Sequence, residues 1–311
     1  MNPLVASFEA SRERLMGLAY RMLGSRSDAE DILQDAYLRI LEVRPDKVRN
    51  AEAYLMTVVS RLCLDQAKSA RRRREVYVGP WLPEPIVDQT APSPESIVAL
   101  ADDLSFALLL TLQKLSPAER AAFLLHDVFD APFSEIAETL NRSEAACRQL
   151  ATRARKAVAS GRPGRPAPVA EHKLLLQKFL ETLASGDISQ LTALLKADAV
   201  AYSDGGGAKQ AALNPIYGAD KVARFFLGLA RKHQRNGGTS RWVELTINGL
   251  PGVIGYFDSE LDSSFTLAVD EGRIAAIYMV RNPAKLGAVR DVLPAELDDE
   301  SSPFPAEEKA R

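Results

Sequence analysis

Residues 203–211 read SDGGGAKQA, three glycines followed by a lysine. Such a composition can cradle a phosphate with backbone N–H groups, but that chemistry needs G-x-x-x-x-G-K-[ST] between a strand and a helix. Here Gln210 follows Lys209, Pro215 interrupts any following helix, and no G-x-G-x-x-G spacing occurs. A nucleotide site is therefore not expected. The glycines fit a tight strand-to-loop path and close backbone approach to a neighbour. The three histidines offer no better chemistry. His126 has no partners at metal spacing and reads as structural, and His172 and His233 fall in end or loop positions without an acid–base pair. Cys63 and Cys147 form neither CxxC nor a Cys/His cluster. No catalytic residue, metal or cofactor is expected.

Charge at helical spacing is more informative. In SEAACRQLATRARKAVA, residues Cys147, Leu150, Ala151, Ala154 and Val158 share one face. The opposite face carries Ala145, Arg148, Gln149, Thr152, Arg153 and Lys156. Arg and Gln pair bidentately with guanine and adenine edges in a major groove, while Arg153 and Lys156 suit phosphates. Upstream, the helix from residue 51 ends in Lys68 and Arg71–Arg74, more cations than a helix C-terminus requires, which points to phosphate contacts. Earlier still, Asp31, Gln34, Asp35 and Leu38 lie opposite an apolar face of Ala29, Ile32, Leu33, Ala36, Tyr37, Ile40 and Leu41. An acidic face with an exposed leucine suits a basic partner helix. Ser27 is the expected N-cap.

These groups need elements to hold them. The chain has 311 residues and a net charge of −2, with 46% hydrophobic and 26% charged residues, an ordinary globular balance. Charge appears before any apolar run at the N-terminus, and FALLLTL is too short to span a bilayer, so a cytoplasmic protein without membrane contact is expected. Pro-rich breaks divide the chain into a helical module at 1–75, a linker at 76–96, a second helical module at 97–160 and a linker at 161–170. A third module at 171–287 and an acidic, disordered tail at 288–311 follow. The second module has Ser116, Pro117 and Glu119 opening a helix as a capping box, then FSEIAETL, Asn141 as a left-handed cap, and Ser143 starting the next helix. Helix, tight turn, helix is a DNA-binding arrangement. The third module reads as helices followed by a meandering antiparallel sheet, an α+β cone, with Gly272 in a hairpin turn.

DAEDILQDAYLRI, YLMTVVSRLCLDQAKSARRRRE and LSPAERAAFLLHDVFDAPFSEIAETLNRSEAACRQLATRARKAV resemble regions 2 and 4 of extracytoplasmic-function sigma factors of the sigma-70 family. WLPEP, DGGGAK and NPAKL resemble the group with a fused C-terminal SnoaL-like (NTF2-like) domain. Ala284 stands where that group commonly has Asp, and Cys147 where it has Ala or Val. The resemblance implies two all-α domains, the second a helix-turn-helix, plus an α+β cone, acting in promoter-specific transcription initiation. It implies that Asp31, Gln34, Asp35 and Leu38 meet the clamp helices of core RNA polymerase, with the flap as a further contact. Arg61, Asp65, Lys68, Arg71 and Arg72 would meet the −10 element, and the 145–156 face the −35 element. A regulatory contact would join Trp81, Leu82, Pro83, Glu84 and Pro85 to Asp204, Gly205, Gly206, Gly207 and Lys209, and to Asn282, Pro283 and Lys285. Within it, Trp81, a large apolar side chain, needs a partner, and Glu84 is placed to meet Lys209. The cone leaves room for a small apolar ligand. The alternatives are an isomerase- or cyclase-type SnoaL-like enzyme tethered to a DNA-binding module, and a stand-alone helix-turn-helix regulator.

Overall fold

The computed structural model describes residues 3–88, 104–161, 167–235 and 240–290. These fall into two compact units: Met1–Val76 with Leu108–Arg162, and Tyr77–Ala107 with Pro163–Arg311. The two helical modules thus share one unit, while the stretch that joins them in sequence belongs with the third module. The tail beyond Arg290 lies outside the described residues, as do 89–96 and 162–166 of the linkers and 97–103 of the second module.

In the first unit, α1 (Pro3–Leu23), α2 (Arg26–Leu41) and α3 (Ala51–Glu75) pack around Leu15, Leu18, Leu33, Ile40, Leu55 and Val59. The cap of α2 is Ser25, not Ser27: its Oγ accepts from Asp28 N at 3.0 Å because Gly24, at φ +72°, turns the chain one residue earlier. Leu41, expected on the buried face, is 51% exposed, since the helix ends there and the face has run out of neighbours. Later in the chain come α4 (Phe106–Lys114) and α5 (Pro117–Phe123), the latter opened by a complete Ser116–Glu119 capping box. The helix then widens into a π turn over Leu124–Val128. α6 (Phe133–Leu140) ends on Asn141 in the left-handed conformation, φ 50° and ψ 55°. α7 (Glu144–Gly161) starts where Ser143 Oγ accepts from Ala146 N at 3.2 Å.

In the second unit, α8 (Val169–Ser185), α9 (Ile188–Leu194) and α10 (Ala219–Arg235) cover one face of a seven-stranded sheet. Its strands are β1 (Val87–Asp88), β2 (Leu195–Asp204), β3 (Ile216–Tyr217), β4 (Ser240–Ile247), β5 (Leu250–Phe257), β6 (Glu260–Asp270) and β7 (Arg273–Val280), in the order β1-β4-β5-β6-β7-β2-β3. The sheet is mixed rather than an antiparallel meander: β2, which enters before α10, runs parallel to β7. The covered face is packed with rings, Phe226 against Phe179, Phe225 and Phe265, and Trp242 against Phe265. Nothing in that packing speaks for the small apolar ligand that the sequence allows. A short helix, α11 (Gly287–Arg290), ends the described chain. Among the described residues no helix is long and apolar enough to cross a membrane.

Candidate nucleic-acid and polymerase interfaces, and the Asp204 hub

α2 is amphipathic, so burying Ala29, Ile32, Leu33, Ala36 and Ile40 leaves Asp31, Gln34, Asp35 and Leu38 outward. Leu38 is 55% exposed. Three acceptor side chains around one apolar side chain can dock a cationic helix that brings an apolar contact of its own.

On α7 the buried stripe is Cys147, Leu150, Ala151, Ala154 and Val158. Burial raises the Cys147 thiol, so it stays a neutral packing group. Ala145, Arg148, Gln149, Thr152, Arg153 and Lys156 are all exposed. Arg148 pairs with Glu144 one turn back at 2.5 Å and lies over the Phe133 ring at 5.3 Å, which packs tilted against His126 at 4.1 Å. Arg153 Nε lies 3.3 Å from Glu119 Oε1. The cationic face is thus lightly held by local carboxylates, pairs weak enough at this exposure to exchange for phosphate or base contacts.

α3 brings Arg61 and Asp65 to the surface, both exposed. Arg61 Nε and Nη2 donate to the carbonyls of Thr139 and Glu138 at 3.2 and 2.7 Å, and Thr57 Oγ1 lies 3.0 Å from Thr139 Oγ1. Arg61 therefore closes the C-terminal end of α6, where unpaired carbonyls and the helix dipole favour a cation. The spacing of residues along one chain gave no sign of this contact between the two helical modules. Lys68, Arg71 and Arg72 belong to α3, but their side chains lie outside the described ones.

The glycine loop is where the third module grips the stretch from Tyr77. Asp204 ends β2 fully buried. Its Oδ1 accepts from Tyr77 Oη at 2.6 Å and Gly206 N at 3.1 Å, and its Oδ2 from Leu82 N at 2.8 Å and Lys285 Nζ at 2.6 Å. Lys285 also donates to Leu82 O at 2.5 Å and stands 4.0 Å from the Trp81 ring centroid and 4.8 Å from that of Tyr77. Asn282 Nδ2 donates to Tyr77 Oη at 2.7 Å. Burial, then the bond to Asp204, raises the Tyr77 phenol, so it remains a donor. Leu82, Pro83 and Pro85 are buried, Trp81 and Glu84 partly so, and Pro283 is exposed.

Three of the loop's N–H groups turn inward, Gly206 to Asp204 and Ala208 and Lys209 to Gly205 O. A Cβ on Gly205 would overlap the Lys209 carbonyl, and one on Gly206, at φ +60°, the Asn282 carboxamide. The pair expected between Glu84 and Lys209 is replaced: Lys209 Nζ lies 3.5 Å from Asp262, which Arg281 holds bidentately at 2.9 and 3.1 Å. Burial alone would raise the Asp262 carboxyl, but Arg281, with Lys209 and His233, brings it below its ordinary value. Ala284 contributes only its backbone N–H, to Asn282 Oδ1, and its side chain is exposed, so the site does not need the commoner aspartate there. His172 lies in the first turn of α8, an end position as expected, and is 3% exposed.

A two-module helical unit with an exposed basic recognition helix, joined in sequence to an α+β domain, defines a transcription factor of the sigma class. Residues 8–73 match Sigma-70 region 2 and residues 105–158 match Sigma-70 region 4. The chain is 41% identical over 294 residues to the ECF RNA polymerase sigma factor SigJ of Mycobacterium tuberculosis, covering 90% of this chain and 92% of that one. It is 31% identical over 291 residues to a probable ECF sigma factor, SigI, of the same species, covering 93% and 97%. The crystal structure of M. tuberculosis SigJ matches with a TM-score of 0.74 at 36% identity, covering 91% of this chain and 98% of that one. The chain belongs to the extracytoplasmic-function RNA polymerase sigma factors of the sigma-70 family. Proteins of this family bind core RNA polymerase and promoter DNA.

Proposed function

We propose that this sigma factor divides promoter-specific initiation among four surfaces. The α2 face of Asp31, Gln34, Asp35 and Leu38 docks on the polymerase clamp helices, with the flap as a further contact of the chain. Arg61, Asp65, Lys68, Arg71 and Arg72 contact the −10 element. Ala145, Arg148, Gln149, Thr152, Arg153 and Lys156 read the −35 element. The C-terminal domain, residues 171–287, catalyses nothing and modulates initiation by holding the connector through Trp81, Leu82, Asp204 and Lys285.

The observation that carries the reading is the pairing of two sigma regions in one chain with an exposed acceptor-and-leucine face on α2. A stand-alone helix-turn-helix regulator has no use for that face. Because Nε and Nη2 of Arg61 donate to the end of α6, a bidentate contact with promoter DNA through those atoms competes with these bonds. Promoter affinity is therefore expected to be weak for the free protein and to rise on adding core polymerase. Fluorescence anisotropy of a labelled promoter duplex, with and without core enzyme, measures this. Equal affinity in both conditions contradicts the reading.

A further inference from the structure

Asn248 and Gly249 form the two-residue turn between β4 and β5, with φ values of 52° and 77°. Asn is common at such a position because it tolerates positive φ, and its side chain ordinarily faces water. Here the residue is 1% exposed. Its backbone N donates to Ile86 O at 2.8 Å, its Oδ1 accepts from Ile86 N at 3.0 Å, and its Nδ2 donates to Leu104 O at 3.1 Å. The carboxamide imitates a peptide group and adds one rung to the ladder in which Val87 faces Ile247 and Asp88 faces Thr246. It also holds the chain at Leu104. Two residues later Phe106 stacks on Tyr278 at 5.6 Å, and Tyr278 stacks on Tyr202 at 5.6 Å. One buried side chain thus ties Ile86 to Leu104, on either side of residues 87–103.

We propose that Asn248 is the positioning residue by which the C-terminal domain grips the chain between the two sigma regions at Ile86 and Leu104, and that this grip sets the output of promoter-dependent initiation. The proposal rests on the reading that this domain modulates initiation. Its chemistry is specific to asparagine. An ionised aspartate can accept from Ile86 N but cannot donate to Leu104 O, and glycine suits the turn but offers neither bond. The grip is separate from the Asp204 hub, which holds Tyr77 and Leu82 further upstream.

The test compares the full chain with Asn248→Gly, Asn248→Asp and Trp81→Ala, by peptide-resolved hydrogen exchange and by run-off transcription with core polymerase. Asn248→Gly is expected to speed exchange about fivefold for each bond lost, at residues 86–88 and at 104–107. Asn248→Asp is expected to do so at 104–107 alone. Exchange in β6 and β7 stays unchanged in both. Run-off output from Asn248→Gly should shift about threefold or more, in the same direction as Trp81→Ala, with Asn248→Asp between it and the native chain. Should the glycine variant fail to fold, the aspartate variant decides on the same terms. Unchanged exchange at both stretches overturns the grip. Faster exchange with native output, while Trp81→Ala alters output, overturns the role of Asn248 and leaves the modulation reading standing. Native output from Trp81→Ala as well overturns the modulation reading itself.

Discussion

At the scale of single residues, Asp204 shows what a buried charge demands. The Lys285–Asp204 pair is almost wholly out of water, with side chains 7% and 0% exposed. Removing one partner of a buried pair leaves the other uncompensated, at a cost of about 3–5 kcal/mol. Asp204→Asn is expected to lower stability by about that amount in urea titration. Lys285→Met added to it should restore part of the loss, because it removes the stranded cation.

His172 makes a different prediction. Its Nε2 is buried without a partner, and burial pushes the imidazole down to about 4, against a weaker opposing bond to the Leu267 carbonyl. Above pH 6.5 both folded and unfolded chains hold it neutral and it contributes nothing to pH dependence. Between pH 6.5 and 4 the unfolded chain takes up a proton that the folded one refuses, so stability falls as pH falls, by about 3 kcal/mol in all. Thermal melts over that range should show the fall, and His172→Gln should flatten it. On α7, Arg148→Ala is expected to lose about 1–3 kcal/mol of discrimination at particular −35 positions, and Arg153→Ala to weaken all sequences alike and flatten the salt dependence. Binding of a panel of substituted promoters separates the two. Identical behaviour would mean the helix is not divided into reading and anchoring residues.

At the scale of elements, the amphipathic helices were legible because their periodicity is a property of the chain itself. The α2 and α7 faces, the Ser116 box and the Asn141 turn could all be read from spacing. What spacing could not convey is partnership between distant residues. Nothing in VDQ identified Val87–Asp88 as an edge strand paired to β4, and a two-residue strand has too few residues to show alternation. The parallel pairing of β2 with β7 escaped for the same reason, since β2 looks alike in either direction. In the candidate site, Trp81 and the glycines pointed to a contact, but the ionic partner was mistaken. Asp204 sits inside the quoted motif, yet only the fold shows that it, rather than Lys209, faces the connector. The α2 face carries its own prediction. Asp31→Arg with Asp35→Arg should fold normally, as both are exposed, and lose core polymerase in a pull-down, because charge reversal adds repulsion. Retained core binding would move the docking surface elsewhere.

At the scale of the whole molecule, a sigma factor is a chain that must present two DNA-binding regions to one polymerase, and the stretch joining them decides how freely it can do so. Here that stretch is part of the C-terminal unit. Trp81→Ala and Gly206→Val both disturb the cluster around Asp204, Trp81 through Lys285 and Gly206 through Asn282, so their effects on output are expected to be non-additive. The most direct measurement of the central claim is run-off transcription with purified core polymerase. The templates are a promoter recognised by this chain and its −35 and −10 substituted forms. The account predicts initiation that needs both elements and that changes with Trp81→Ala while the helical unit stays folded. Promoter binding without any initiation in the presence of core would contradict it.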